Sequence, residues 1–394
     1  MSPRRQGPVS LEPCGDPRPS AADLPAPAKD SPDVSPPIDP TAIDAAVKFI
    51  TRAKRPMIMV GGGAQHASDA VRELAEKLNS PVVSHRGGKG VIPGDHPLAM
   101  DCVASYELWP ETDVLIGIGS RLELPYMRWT GMQRMIHRAE APPHVIRIDI
   151  DPAEMRRFKP HVPIIADAED GARALLDKLA NAKAKTGTAK RIKEAQSVVR
   201  DQINAVQPQM DYLAVLREEL PRDGFFVDDL CQVVYAGYFG WQAYEPRTYV
   251  TCGYQGTLGF GYPTALGVKV ANPDKVVLSI LGDGGFMFAV QELATAVQEG
   301  IGVIAVVFNN AGYGNVRRDQ KRLFSGRSIA TSLNNPDFMD LARSFGVRGY
   351  RVDSPETLRP ALRQTIAADK PALIEVIVDP DEEVSPWELL VRAP

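Results

Sequence analysis

The sequence predicts an α/β protein built from two doubly wound, parallel-sheet domains. Short apolar strands alternate with helical segments from residue 40 onward, a rhythm that favours parallel sheets with right-handed crossovers. The strands are apolar almost throughout, as in sheets that helices cover on both faces. The length of 394 residues suits two domains of ordinary size. Such sheets bind ligands beyond the carboxyl ends of their strands, so functional residues are expected there.

Residues 1–40 precede this alternation and differ from it in composition. They contain eleven of the 34 prolines, and proline is excluded from helix interiors and central strands. A short apolar alternation at 8–12 is typical of one strand, and the remainder is predicted to be an extended, Pro-rich linker. We therefore expect a remnant strand and a linker here.

Residues 41–182 are predicted to form a central, Rossmann-like domain. Apolar residues spaced three and four apart predict helices at 41–52, 68–78 and 169–179. Apolar runs predict strands at 56–60, 81–84, 113–119 and 145–149. Residues 183–210 are predicted to be a linker with a charged helix at 190–206, because large apolar residues thin out there.

Residues 211–394 are predicted to form the second domain. Its strands are expected at 225–228, 248–251, 275–281, 302–308 and 372–378. Its helices are expected at 230–237, 263–270, 288–298, 338–345 and 355–368. This alternation again indicates a parallel sheet with right-handed crossovers.

Composition and charge exclude several classes of function. The net charge of −4 and the pI of about 5.9 give no electrostatic footprint for nucleic acid. No apolar run approaches the length of roughly 18 residues that a membrane span needs. The four cysteines are scattered without a C-x-x-C pair, which is typical of reduced, structural thiols. We expect a cytoplasmic protein that binds neither nucleic acid nor membrane.

Two predicted strands of the second domain end in polar, glycine-rich turns. One strand runs into Gly282-Asp283-Gly284-Gly285, and the next ends in Asn309-Asn310-Ala311-Gly312. A glycine turn that opens a helix presents backbone N–H groups to an anion. An aspartate inside such a turn is compatible with a phosphate when Mg²⁺ lies between them, since Mg²⁺ binds carboxylate, carbonyl and phosphate oxygens. The two turns together predict a Mg²⁺–diphosphate site.

The motif GDG, followed after 24 residues by NN, resembles the cofactor signature of thiamine diphosphate-dependent enzymes. Residues 256–263, GTLGFGYP, resemble the segment of acetolactate synthases and benzoylformate decarboxylases that holds the aminopyrimidine ring. Residues 40–180 resemble the central domain of that group, in RPMIMVGGGA, GSRLE and IRIDIDPAE. GPVSLEP resembles the last strand of its amino-terminal, pyrimidine-binding domain, and nothing else in the chain matches that domain.

The resemblance implies roles for particular residues. Asp283, the side chain of Asn310 and the carbonyl of Gly312 would bind the metal. The Gly256 carbonyl would accept a hydrogen bond from the 4′-amino group of the cofactor, and Leu258 would force its V shape, so both are catalytic candidates. The full set of implied cofactor-binding residues is Gly256, Leu258, Gly282, Asp283, Gly284, Gly285, Met287, Asn310 and Gly312.

Other motifs are open to more than one interpretation. In acetolactate synthases the central domain binds FAD, but plain packing is the favoured explanation of Gly61-Gly62-Gly63, because the spacing G-x-G-x-x-G fails at His66. Asn334-Asn335 is interpreted as part of a helix cap. A basic run is expected to be a solvated helix face or to bind a substrate carboxylate or CoA phosphates: Arg317, Arg318, Lys321 and Arg322. The acid pair Asp228-Asp229 is unexpected beside a diphosphate, and Gln232 is a possible donor. Trp387 is expected to pack, with closure over the site as the alternative.

The resemblance implies a thiamine diphosphate- and Mg²⁺-dependent enzyme that decarboxylates a 2-oxo acid and performs carboligation, as acetolactate synthases do. The alternatives are a benzoylformate-type decarboxylase, a lyase of 2-hydroxyacyl-CoA, and a non-catalytic truncated paralogue. All six histidines lie before residue 162, and no position matches the family's N1′-activating glutamate. We therefore expect a homo-oligomer, a partner chain that carries the pyrimidine-binding domain, or both, and little activity from the isolated chain.

Overall fold

The computed structural model describes residues 37–130, 142, 144–182 and 184–392. The predicted strand at 8–12 and most of the predicted linker lie outside these residues. The strands are β1 Pro56–Val60, β2 Val82–Ser84, β3 Ala99–Met100, β4 Val114–Ile118, β5 His144–Asp149, β6 Val162–Ile165, β7 Phe225–Asp228, β8 Tyr249–Val250, β9 Val277–Gly282, β10 Val303–Asn309, β11 Arg348–Val352 and β12 Ala372–Ile377.

The α-helices cover the strands and connect them. They are α1 Pro40–Arg52, α2 Ser68–Leu78, α3 Ala104–Leu108, α4 Glu123–Tyr126, α5 Glu154–Arg157, α6 Ala168–Lys178, α7 Thr188–Asn204, α8 Gln209–Glu219, α9 Gln232–Gly240, α10 Gly261–Ala271, α11 Asp283–Met287, α12 Glu292–Gln298, α13 Gly314–Leu323, α14 Phe338–Ser344, α15 Pro355–Ala368 and α16 Trp387–Leu390. The single helix predicted at 288–298 is wrong at its start, because α11 precedes it and α12 begins only at Glu292.

Two six-stranded sheets form the framework of the molecule. The first has the order β3-β2-β1-β4-β5-β6 and the second the order β11-β12-β10-β9-β7-β8. Neighbouring strands pair in parallel throughout both sheets. The prediction of two doubly wound, parallel-sheet domains is confirmed. Among the described residues, no helix has both the length and the apolar content that crossing a membrane requires.

The central strands of both sheets are buried on both faces. β1, β4 and β9 are buried at every residue, which is why their sequences are continuous apolar runs rather than alternations. One cluster of buried apolar side chains extends from the first sheet into the second domain. Polar contacts also join the domains, since the buried Lys89 Nζ donates to the Trp241 carbonyl at 2.8 Å. Apolar and polar contacts therefore join the two domains.

Candidate active site

A cavity of about 280 Å³ lies beyond the carboxyl ends of β7, β9 and β10. β8 and β9, the two strands that follow β7 in the sequence, lie on opposite sides of β7. The strand order therefore changes direction at β7, and α/β sheets bind ligands at such a point. Eight of the nine residues implied to bind the cofactor line this cavity: Gly256, Leu258, Gly282, Asp283, Gly284, Gly285, Asn310 and Gly312. Segments that are far apart in the sequence thus meet in one place.

Met287 is the ninth residue, and it does not line this cavity. It ends α11 and is half-buried against the apolar cluster of the second domain. Its role beside the cofactor stays a prediction.

Asp283 is held at the bottom of the cavity by two neighbouring segments. It is 2% exposed, and its Oδ2 accepts hydrogen bonds from the Gly312 N–H at 3.1 Å and the Asn335 Nδ2 at 2.7 Å. Burial raises the pKa of Asp283, and these two hydrogen bonds oppose that rise. Both of these bonds end on Oδ2, so Oδ1 keeps acceptor capacity for a further ligand.

The two residues of the NN pair face different partners. Asn310 lines the cavity, and its Nδ2 donates to Glu383 Oε2 at 2.7 Å. Asn309 lies behind it, with Nδ2 donating to Glu375 Oε1 at 2.8 Å. An ionised carboxylate only accepts hydrogen bonds, so each amide turns its nitrogen towards its glutamate when that glutamate is charged. The carbonyl oxygen of Asn310 is then free to bind a cation.

Asn335 corrects the interpretation of Asn334-Asn335 as part of a helix cap. The cap of α14 is Asp337, whose Oδ1 accepts from the backbone N–H of Met339 at 2.8 Å and of Asp340 at 3.1 Å. The segment before it runs beside the turn that follows β10, which brings Asn335 onto Asp283. Sequence spacing alone did not reveal this contact, since 52 residues separate the two.

The acid pair Asp228-Asp229 faces backbone amides and does not line the cavity. Asp229 Oδ2 accepts from the N–H groups of Gly259 and Gly261, both at 3.0 Å. Asp228 Oδ1 accepts from the Cys252 N–H at 2.9 Å, while burial raises the Asp228 pKa to about 6. The two acids therefore hold both ends of the loop that carries Gly256 and Leu258.

Family models match the chain at residues 43–175, "Thiamine pyrophosphate enzyme, central domain", and at residues 231–376, "Thiamine pyrophosphate enzyme, C-terminal TPP binding domain". A "Probable acetolactate synthase large subunit" of Methanocaldococcus jannaschii is 35% identical, over 96% of this chain and 68% of the relative. The chain belongs to the thiamine pyrophosphate enzyme family.

Other members of this family show how the match is distributed. A "Probable acetolactate synthase large subunit" of Methanococcus aeolicus is 34% identical, over 88% of this chain and 62% of the relative. A "Probable 2-ketoarginine decarboxylase" of Pseudomonas aeruginosa is 32% identical, over 85% of this chain and 60% of the relative. The chain thus spans about three fifths of the length of these two relatives. Thiamine pyrophosphate and thiamine diphosphate are two names for one cofactor, and it is the cofactor whose binding motifs this sequence resembles.

A second cavity, of about 520 Å³, lies beyond the first sheet, at Gly61-Gly62-Gly63. A Cβ on Gly61 would lie 2.4 Å from the Gly119 carbonyl oxygen, so close contact of two backbones explains this glycine. The Arg86 guanidinium reaches across the cavity to the Gly253 carbonyl and to Glu123. Burial lowers the pKa of His85, which also lines the cavity, to about 4.

The basic run lies on α13, a helix without buried residues. Arg317 is the member nearest the first cavity, because a Cβ on Gly312 would lie 3.1 Å from its Nη1. Arg318 pairs with Asp319 at 3.3 Å, whereas Lys321 and Arg322 are exposed. The run is therefore mainly a solvated helix face, with one guanidinium at the edge of the cavity.

Two further polar residues line the cavity, and sequence reasoning missed one of them. Glu383 enters the cavity from the segment before α16, and burial together with the charge of Asp283 raises its pKa to about 7. Gln232, which is 8% exposed, lines the cavity, and its Oε1 has no hydrogen-bond partner. Trp387 packs as expected, with its ring 5.0 Å from that of the lining residue Tyr235. Only Gln232 had a signal in the sequence, as a possible donor after β7.

Proposed function

We propose that this chain binds thiamine diphosphate through Mg²⁺ in the first cavity and takes part in the decarboxylation and carboligation of a 2-oxo acid, as acetolactate synthases do. The observation that carries the proposal is the convergence of Asp283, Asn310 and Gly312 with Gly256 and Leu258 around one cavity. The names of two acetolactate synthase relatives support the reaction class.

The donor set fits a hard, oxygen-seeking cation. Asp283 Oδ1, Asn310 Oδ1 and the Gly312 carbonyl are one carboxylate, one amide and one backbone oxygen, which suit Mg²⁺ with phosphate oxygens completing its shell. Among the described residues, no cluster of three or more His, Cys, Asp and Glu side chains forms a metal site, so we propose this mixed set. The unpartnered Oε1 of Gln232 is a further polar atom that a ligand would satisfy.

The roles of the protein groups follow from this placement. When bound, the cofactor supplies an electron sink for the carbanion that decarboxylation leaves. The backbone N–H groups of Gly284 and Gly285 would donate to the diphosphate, and the Gly256 carbonyl would accept from the aminopyrimidine. Leu258 would support the bent form of the cofactor. By supporting that form, Leu258 would contribute to catalysis through proximity of the reacting groups.

We also propose that a pyrimidine-binding domain completes the site, on a partner chain or within a homo-oligomer. No histidine lines the cavity in the described part of the chain. Apolar side chains on and around α13 and after α11 are 50–80% exposed, which favours burial against a partner: Phe288, Val316, Leu323, Phe324 and Ile329. Without that partner we expect little turnover. A cytoplasmic location stays a prediction.

A simple decarboxylase is the second candidate function, because one relative is named a 2-ketoarginine decarboxylase. A lyase of 2-hydroxyacyl-CoA and a non-catalytic paralogue stay as alternatives. The products formed from pyruvate by the chain with a separately expressed pyrimidine-binding domain separate the first two functions. Acetolactate or acetoin supports the first, and an aldehyde alone supports the second. Absence of turnover of both pyruvate and a 2-hydroxyacyl-CoA, despite cofactor binding, supports the non-catalytic alternative.

Cofactor binding tests the site itself. Thiamine diphosphate with Mg²⁺ is expected to stabilise the chain, by about 2.7 kcal/mol at a hundredfold excess over the Kd, and thiamine diphosphate with EDTA is not. Asp283→Ala and Asn310→Ala should each remove the stabilisation, whereas Asp274→Asn, at an exposed site, should retain it. Equal stabilisation with and without Mg²⁺ would contradict the proposed metal bridge.

A further inference from the structure

A chain of hydrogen-bonded polar side chains leads from the exposed Arg351 at the edge of the second sheet to the buried Asp283. Glu375, which is 2% exposed, accepts from Arg351 Nε at 2.6 Å and from Asn309 Nδ2 at 2.8 Å. Asn309 Oδ1 accepts from Asn335 Nδ2 at 3.0 Å, and the same nitrogen donates to Asp283 Oδ2 at 2.7 Å. The chain therefore runs through four side chains to the proposed metal ligand.

The chemistry of the donors fixes the orientation of every amide in this chain. Glu375 only accepts, so the Asn309 nitrogen must face it and the Asn309 oxygen must face Asn335. Asn335 then lies between two acceptors, Asn309 Oδ1 and Asp283 Oδ2, and only its NH₂ group can satisfy both. A flipped Asn335 would place its oxygen against two oxygens without a proton between them. One orientation of Asn335 is therefore strongly preferred.

The Asn309 oxygen also holds the turn that carries another proposed ligand. It accepts from the Ala311 N–H at 3.1 Å, in a turn where Ala311 has a φ of +50°, a left-handed conformation that non-glycine residues adopt only when held. Gly312 follows directly, and its N–H donates to Asp283 Oδ2. The side chains behind the cavity thus act on both Asp283 and Gly312.

We infer that Asn335 is a positioning residue for the metal: it occupies Asp283 Oδ2 so that Asp283 presents Oδ1 alone to the cation. This inference rests on the proposed function and deepens it. Asn335 does not line the cavity, so it acts through Asp283 rather than on the cofactor. Residues behind the ligands of a metal site commonly orient them in this way, and their loss typically costs about 10- to 100-fold in metal affinity.

A purely structural role for Asn335 is the competing explanation, and backbone contacts argue against it. The segment that carries Asn335 is already tied to the turn after β10 by the bonds from the Tyr313 N–H to the Thr331 carbonyl, 2.8 Å, and from the Leu333 N–H to the Ala311 carbonyl, 2.9 Å. Asp337 caps the helix that follows. The Asn335 side chain is therefore not needed to anchor the segment.

Mn²⁺ binding tests the inference, with Mn²⁺ as the probe for Mg²⁺. Unmodified protein, Asn335→Ala, Asn335→Asp and Asn335→Ser are titrated with Mn²⁺ in the presence of thiamine diphosphate, and the electron paramagnetic resonance spectrum is recorded. Asn334→Ala is the matched control, because Asn334 is the exposed neighbour. Circular dichroism and urea unfolding of the cofactor-free proteins report whether each variant is folded.

We expect Asn335→Ala to bind Mn²⁺ at least about tenfold more weakly and to change the zero-field splitting of bound Mn²⁺, because Asp283 is then free to turn. Asn335→Asp should bind more weakly still, since it removes the donors and adds a like charge. Asn335→Ser, which keeps one hydroxyl donor, should recover part of the affinity, and Asn334→Ala should match unmodified protein.

Two results would overturn the inference while leaving the proposed function intact. One is wild-type Mn²⁺ affinity and an unchanged spectrum in Asn335→Ala. The other is a loss of Mn²⁺ affinity in Asn335→Ala and Asn335→Ser that only follows a loss of folded protein. Failure of the unmodified protein to bind Mn²⁺ with thiamine diphosphate would overturn the proposed function, and this inference with it.

Discussion

Replacing Asp229 should loosen the loop that carries Gly256 and Leu258. The carboxylate is fully buried and accepts three backbone hydrogen bonds, from Leu230 at 2.6 Å and from Gly259 and Gly261 at 3.0 Å each. Asp229→Ala leaves these N–H groups without acceptors. At about 1–3 kcal/mol for each unsatisfied buried group, and with water reaching some of them, we expect a loss of about 4 kcal/mol.

Asp229→Asn should cost much less. Its single amide oxygen can still accept from Gly259 and Gly261, so only the bond from the Leu230 N–H is lost. Burial raises the pKa of Asp229 in spite of its three hydrogen bonds, which means that burying the charge has a cost that asparagine avoids. We therefore expect a loss of about 1 kcal/mol for Asp229→Asn.

Urea unfolding followed by circular dichroism measures both values, with Asp274→Asn as the control at an exposed acid. Thiamine diphosphate binding with Mg²⁺ is measured on the same proteins, because the loop carries two lining residues, Gly256 and Leu258. Asp229→Ala should bind the cofactor more weakly than Asp229→Asn. A free energy of unfolding for Asp229→Ala within about 0.5 kcal/mol of wild type, the range of an ordinary surface substitution, would refute the reasoning.

Three further predictions concern other parts of the chain. Leu258→Ala should lower kcat with little change in cofactor affinity, measured in protein reconstituted with a pyrimidine-binding domain, and an unchanged kcat would leave Leu258 as core. Gly61→Ala should lower the free energy of unfolding in urea by about 1–3 kcal/mol, because the added Cβ meets the Gly119 carbonyl. Gly62→Ala is the control and should lower it clearly less, because the nearest atom to its added Cβ lies at 3.8 Å. The pKa of His85 is lowered to about 4, so the unfolded state binds more protons between about pH 4 and 6.5, and the free energy of unfolding falls as the pH falls through that window. His85→Gln should reduce the loss of stability between pH 7.5 and 4.5 by about 2–3 kcal/mol. A pH profile of stability that this substitution leaves unchanged would contradict the burial argument.

The strands that sequence reasoning missed are all edge strands. β3, β6 and β11 each lie at the edge of a sheet, whereas β8, the fourth edge strand, was predicted at 248–251. β3 has two residues, β6 contains Pro163, and β11 contains two arginines and has only Val352 buried. A strand with one neighbour needs no continuous apolar run, so the pattern that identified β1 or β9 is absent from these edges.

The site was predictable where its residues follow strands directly. Asp283 and Asn310 stand at the ends of β9 and β10, so local patterns place them at one sheet edge. Asn335 and Glu383 come from segments 52 and 73 residues away from their partners, and neither lies in a pattern that points to the cavity. Such contacts depend on how connections return over the sheet, which periodicity does not encode.

The distribution of charge around the cavity argues for a cation as part of any anion-bound state. The charge of Asp229 is directed at backbone amides, but Asp283 and Glu383 both face the cavity, and their mutual repulsion contributes to the raised pKa of Glu383. Arg317 lowers that pKa, and no other basic side chain does so among the described residues. A diphosphate would add more negative charge than one guanidinium at the edge offsets. A divalent cation on Asp283 would compensate the carboxylate and attract the diphosphate at the same point. The charges that disfavour a bare anion in this cavity therefore favour an anion that binds together with Mg²⁺.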